Sequence, residues 1–168
     1  MKKIILIGFM GAGKTTYGRL LSKMTNWKFY DLDQEIERRA GRTIPEIFAE
    51  FGEAHFRQVE RETLVAFAKD AGEEWILSCG GGTPCFQGNM ELLKSLGKTY
   101  YLKVEPDTLA VRLLPQKDDR PLIARLKEDE LEPYISALLE KREPYYLQAD
   151  EVLEVQDMHD WMQRLQQA

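Results

Sequence analysis

The apolar run Ile4-Ile-Leu-Ile7 leads straight into Gly8-Phe-Met-Gly-Ala-Gly-Lys-Thr-Thr16, and no other stretch limits the possible folds so tightly. It matches Gly-x4-Gly-Lys-Thr, with Gly8, Gly13, Lys14 and Thr15 in the required places. Its setting matches too: a buried strand before it, an amphipathic helical pattern over 14–24 after it. Glycines let the backbone wrap phosphate groups with N–H bonds turned inward, and the helix that follows presents its positive end. Lys14 is then placed to reach β- and γ-phosphates, and the Thr15 hydroxyl to ligate Mg²⁺. A glycine-rich turn without a ligand is the plainer alternative, and the agreement of strand, loop and helix weighs against it. The loop leaves open whether the phosphoryl group goes to water, to a protein or to a metabolite.

The remaining pattern is α/β. Short, mostly continuous apolar runs at 3–7, 27–30, 75–78, 99–104 and 151–155 predict strands of a parallel sheet covered on both faces. Helical patterns lie between them, at 14–24, 33–40, 44–51, 53–69, 90–96, 106–114 and 126–147, with a last one at 157–167. Such alternation implies right-handed crossovers and a layered fold. No repeat, low-complexity segment or linker divides the 168 residues, so a single domain is expected over 1–168. Two stretches are surplus to a plain crossover: the helical pieces between 33 and 69, and the polar, proline-bracketed Pro115-Gln-Lys-Asp-Asp-Arg-Pro-Leu-Ile123. Extra material of this kind tends to be functional.

A net charge of −5 is a poor match for a nucleic-acid backbone. No run approaches the roughly 18 apolar residues that span a bilayer, and the apolar start ends at Gly8, too early for a signal peptide. Cys79 and Cys85 are too few for a disulfide framework or a zinc site. Two free thiols and a cytosolic location are expected, and nothing in the sequence demands more than a monomer.

Three constellations bear on the phosphoryl acceptor. Asp31-Leu-Asp33 follows the second strand, at the carboxyl edge where α/β sheets bind ligands. One carboxylate can reach a Mg²⁺ shell and the other can take a proton from an acceptor hydroxyl, although Asp33 is equally suited to capping the next helix. Gly80-Gly81-Gly82 ends the third strand and offers bare backbone to a ligand, or simply a tight turn before Pro84. Arg57, with Glu60 on the same helix face, Arg120 and Arg142 supply guanidinium groups suited to carboxylate or phosphate. Pro121 biases Arg120 away from helix, towards an extended mobile loop. Tyr145 and Tyr146 are expected to pack the long helix on the core.

Together these features resemble the shikimate kinase family. The likeness spans most of the chain: the phosphate loop, Asp31-Leu-Asp33, Gly41-Arg-Thr-Ile-Pro-Glu-Ile-Phe48, Gly52-Glu53 with Phe56-Arg57 and Glu60, Gly80 to Gly82, Arg120-Pro-Leu122, and Arg142 before a tyrosine. The resemblance implies a three-layer P-loop kinase fold on a five-stranded parallel sheet of order 2-3-1-4-5. A substrate-binding region falls at about 33–61 and a lid at about 113–124. It implies ATP and Mg²⁺ as cofactors and the 3-hydroxyl of shikimate as acceptor, with small molecules as the partners rather than nucleic acid or membrane. Asp33, Lys14 and Arg120 correspond to the catalytic set. Gly11, Ala12, Gly13, Lys14, Thr15, Thr16, Arg112 and Arg120 correspond to nucleotide contacts, Arg112 stacking on adenine. Asp33, Arg57, Gly80, Gly81, Gly82 and Arg142 correspond to shikimate contacts, with Glu60 holding Arg57. Thr15 resembles the direct Mg²⁺ ligand and Asp31 a water-mediated one. Where relatives often carry a proline on the other wall of the adenine pocket, this chain has Val155-Gln-Asp-Met158.

Other classes stay in view. A gluconate kinase shares the loop without this set of motifs. A guanine-nucleotide switch usually carries Asn-Lys-x-Asp, and the nearest stretch here, Phe67-Ala-Lys-Asp70, lacks the asparagine. A silent nucleotide-binding module has no need of Lys14, Asp33 and Arg120 together.

Overall fold

The computed structural model describes residues 2–167. Among the described residues, five strands, β1 (Lys3–Ile7), β2 (Lys28–Asp31), β3 (Trp75–Ser78), β4 (Lys98–Lys103) and β5 (Glu151–Glu154), form one parallel sheet in the order β2-β3-β1-β4-β5. Seven α-helices among those residues, α1 (Lys14–Thr25), α2 (Leu32–Ala40), α3 (Ile44–Asp70), α4 (Asn89–Leu96), α5 (Pro106–Leu113), α6 (Glu128–Tyr146) and α7 (Met158–Gln167), cover its two faces. β1 is central because it can be covered on both sides: Ile4 to Ile7 are each at most 1% exposed. Around it close Trp75, Tyr101, Trp161 and Tyr146, all nearly or wholly withdrawn from water.

Register fixes where the site lies. Leu6 pairs with Ser78, and Ser78 pairs with Asp31, so three strands end abreast and three loops leave from one edge of the sheet. The ladder continues one step further, with the Cys79 amide donating to the Leu6 carbonyl at 3.1 Å.

The surplus helices at 44–51 and 53–69 run as one element, α3, broken in direction by Gly52 at φ 82°, ψ 176°. A side chain in that left-handed region is strained, which is why a glycine stands at the bend. Thr43 opens α3 with a capping box: its hydroxyl accepts from the Glu46 amide, and the Glu46 carboxylate accepts from the Thr43 amide at 2.7 Å.

Two expectations need correction. The polar segment after α5 is not an irregular loop. A 3₁₀ helix spans Leu114–Asp119, and the Lys117 ammonium donates to the carbonyls of Ala124 and Leu126 at 2.9 and 2.8 Å. Ile123 is completely buried beneath it. A lysine carries three donors and can satisfy carbonyls that polar composition would assign to water; periodicity does not register this. Arg120 itself is extended, at φ −118° and ψ 105°, as the following proline requires. The second correction concerns the tyrosines: Tyr146 is fully buried and packs its ring 5.0 Å from Tyr101, whereas Tyr145 stays 40% exposed.

Gly97 joins α4 to β4 in an extended conformation that any residue can adopt, yet a Cβ there would lie 2.7 Å from the Lys3 carbonyl oxygen. The obstacle is backbone of β1's first residue and cannot rotate away. Gly97→Ala is therefore expected to cost about 1–3 kcal/mol through overpacking. Thermal unfolding should show it as a melting temperature lowered by several degrees.

Candidate active site

The loop between β1 and α1 closes on itself before it meets any ligand. The Ala12 amide donates to the Phe9 carbonyl at 3.1 Å, and Gly13 takes φ 97° to start α1. Ala12 is buried, so it shapes the loop rather than lining it. Gly11, Gly13, Lys14, Thr15 and Thr16 line a cavity of about 550 Å³ together with Asp31, Asp33, Gly80, Gly81, Arg112 and Arg120. Arg112, near the end of α5, donates to the carbonyls of Gly11 and Ala12 at 3.2 and 3.4 Å, fastening the loop from outside. Arg120 reaches the same cavity and donates to Gln116 at 3.0 Å.

Lys14 is folded back, its ammonium donating to the Gly8 and Phe9 carbonyls at 2.8 Å each. Burial comes first among the influences on it and pulls its pKa down to about 8, with the Asp33 carboxylate opposing. A cation withdrawn from water in this way is strongly stabilised by any arriving anion.

The paired aspartates divide their roles. β2 extends to Asp31, and α2 begins at Leu32, so Asp31 is the cap: its carboxylate accepts from the Asp33 amide at 3.0 Å. The capping alternative for Asp33 thus falls, and its side chain is left facing the cavity. The other Asp31 oxygen accepts from the Thr15 hydroxyl at 3.3 Å. Hydroxyl and carboxylate oxygens are the donors Mg²⁺ takes, and two protein ligands suffice when phosphates and water complete the shell. Asp33 keeps solvent contact, but with the water of a cleft. Withdrawal from bulk solvent is the largest cause pushing its carboxyl up to about 6, followed by the charges of Asp31 and Glu60.

The glycine triplet gathers the other groups. A methyl at Gly80 would meet an Asp33 oxygen at 3.3 Å, one at Gly81 the Arg142 Nη1 at 3.1 Å, and one at Gly82 the Arg57 Nη2 at 2.6 Å. Gly81 also approaches the phosphate loop, 3.3 Å from the Met10 amide nitrogen by the same construction. Arg142 arrives because Tyr146, one turn later on α6, donates its hydroxyl to the Gly81 carbonyl. Arg57, on α3, is 9% exposed and donates Nη1 to Glu60 at 2.9 Å. Its guanidinium lies 4.0 Å from the centre of the Phe86 ring and 5.0 Å from that of Phe56. Among the described residues its buried Nε has no hydrogen-bond partner, and its Nη2 has only a 3.4 Å contact with Glu53. Arg57, Gly82 and Arg142 lie outside the lining of the 550 Å³ cavity and reach its wall through the triplet.

Sequence reasoning missed Thr83, Phe86 and Gln116, which touch Glu60, Arg57 and Arg120 respectively. A signal existed only for Thr83, as the first residue after the triplet. Cys79 and Cys85 are free, and burial pushes both thiols upward, Cys85 to about 11, which keeps them protonated.

Comparisons with known proteins converge on one family. The family model for shikimate kinase matches residues 10–167. A shikimate kinase of Bacteroides thetaiotaomicron is 43% identical over 99% of this chain and 98% of its own length. A crystal structure of shikimate kinase from that organism superposes with a TM-score of 0.88 at 42% identity, covering 98% of this chain and 96% of the other. Shikimate kinase from Acinetobacter baumannii, in complex with shikimate, gives 0.85 at 35% identity over 99% of this chain and 92% of its own.

The Asp33 carboxyl should titrate near pH 6 in the ligand-free protein, followed by carbon NMR of its side chain. Asp31→Asn removes a negative neighbour and should lower that midpoint, while leaving the part caused by burial. An unchanged midpoint would show that the two carboxylates do not interact.

Proposed function

The chain belongs to the shikimate kinase family, and we propose how its residues divide the work of its reaction, transfer of the γ-phosphoryl group of ATP to the 3-hydroxyl of shikimate, giving shikimate 3-phosphate and ADP. The observation that carries the reading is the convergence on Gly80 to Gly82 of one carboxylate and two guanidinium groups, beside the phosphate loop.

The nucleotide phosphates lie along the loop from Gly11 to Thr16. Lys14 exchanges the Gly8 and Phe9 carbonyls for β- and γ-phosphate oxygens. Arg112, already against the loop, flanks the adenine, and Arg120 is carried over the phosphates by its segment, sheltering the transfer from water. Thr15 would hold Mg²⁺ directly and Asp31 through water, and the ion would offset charge on the phosphates.

Arg57 and Arg142 grip the acceptor carboxylate, and the triplet's bare backbone lets the ring lie close. With Nη1 committed to Glu60, the Nε–Nη2 edge of Arg57 is the one suited to a bidentate contact. Asp33 accepts the 3-hydroxyl proton as that oxygen bonds to the γ-phosphorus and the bond to the β–γ bridging oxygen breaks. The reading places the enzyme in the cytosol as a monomer, where its free thiols stay reduced.

Asp33→Asn should lower kcat by roughly 10²–10⁴-fold while leaving the KM for ATP near its original value. Because the base must be ionised, kcat/KM for shikimate should fall as pH drops below about 6. A coupled assay of ADP release across a panel of acceptors tests the whole: no stimulation by shikimate over buffer sinks it. Arg57→Ala should chiefly raise the KM for shikimate.

A further inference from the structure

Arg57 owes its position to residues beyond its direct partner. Glu60 is 1% exposed, and each of its carboxylate oxygens is taken: Oε1 accepts from Arg57 Nη1 at 2.9 Å, and Oε2 accepts from the Thr83 hydroxyl at 2.7 Å. Thr83 is itself fully buried. It opens the 3₁₀ turn Thr83–Cys85, and its carbonyl accepts from the Asn89 side-chain amide at 3.0 Å. Asn89 in turn accepts from Arg61 Nη1 at 3.0 Å, and the same nitrogen donates to the Gln87 carbonyl at 2.7 Å. The chain of bonds runs from Arg57 through Glu60, Thr83 and Asn89 and returns to α3 at Arg61. The same stretch also contributes the Phe86 ring over the guanidinium and the close approach of Gly82.

We propose that Thr83 is a positioning residue for substrate binding: its hydroxyl fixes the Glu60 carboxylate, and that carboxylate fixes the guanidinium of Arg57 that grips the acceptor acid. The proposal rests on the reading of Arg57 as a substrate clamp. A carboxylate in a dry site needs a donor for each exposed lone pair. Without the hydroxyl, Oε2 loses the donor it accepts from, and Glu60 must turn to find another. Arg57, wedged between two aromatic rings, then loses the partner that sets its rotation. Asn89 and Arg61 keep the turn from following Glu60, so Thr83 acts as a fixed post.

The test is steady-state kinetics with each substrate varied in turn. Thr83→Val should raise the KM for shikimate on the order of tenfold, the scale of one hydrogen bond to a charged group, with the KM for ATP unchanged. Thr83→Ser keeps the hydroxyl and should stay within about twofold of the original enzyme, whereas Thr83→Cys, equal to serine in shape but a weak donor, should resemble valine. If Thr83→Val does not fold, the Ser and Cys pair alone decides. In an Arg57→Ala background the Thr83 substitutions should add almost nothing. Equal rises in both KM values, no rise, or undiminished effects without Arg57 would each overturn the proposal. Arg57→Ala alone separates the two levels: no change in the KM for shikimate refutes the clamp itself, while a rise there with a silent Thr83→Cys refutes only the positioning role.

Discussion

Parallel pairing between β1 and β3 is the constraint from which the site follows. Leu6 stands opposite Ser78, and the amide of Cys79 extends the ladder one bond past the strand. Two glycine-rich stretches therefore leave the sheet side by side, the two that the proposed reading gives to the phosphates and to the acceptor. A shift of one residue in this register would turn Ser78 and its neighbours to the opposite face and part the two loops. Nearly complete burial of Ile4 to Ile7 makes such a shift costly, since it would have to move an entire apolar strand. Core packing thus sets the distance between donor and acceptor, although none of those core residues touches either.

Charge is handled differently on the two sides. The acceptor side keeps a buried pair, Arg57 with Glu60, whose Coulomb attraction must offset the removal of both from water. Such a pair adds little net stability, but it fixes the direction of a guanidinium to within a hydrogen bond. On the donor side Lys14 forms no salt bridge among the described residues and rests on two carbonyls. It can leave them for phosphate oxygens without breaking a salt bridge. On the proposed reading, a pinned cation holds the acceptor and a movable one follows the group that is transferred.

Much of this was legible in the chain itself. Gly-x4-Gly-Lys-Thr after Ile4 to Ile7 specified strand, loop and helix, and Gly52 marked the bend in α3 because glycine accepts φ 82° at no steric cost. Apart from the resemblance, the residues themselves did not separate the roles of the two aspartates. Either could cap the next helix, and the choice turned on β2 ending at Asp31 rather than one residue sooner. Thr83 was hidden for another reason: its partner Glu60 lies 23 positions away, and a hydroxyl carries no signal until tertiary folding brings a carboxylate to it. The order within 114–126 was invisible too, since it depends on one lysine reaching back to two carbonyls.

That last feature bears on how nucleotide affinity is set. A disordered flap would have to surrender backbone freedom each time it closed, at about 1–2 kcal/mol for every residue ordered. The segment bearing Arg120 is already knotted by Lys117 and anchored by Ile123, so its ordering took place when the chain folded. On the proposed reading of Arg120, such a piece has little backbone freedom left to lose when it meets a phosphate. Most of the attraction between Arg120 and that phosphate would then tighten binding instead of being consumed in organising the loop.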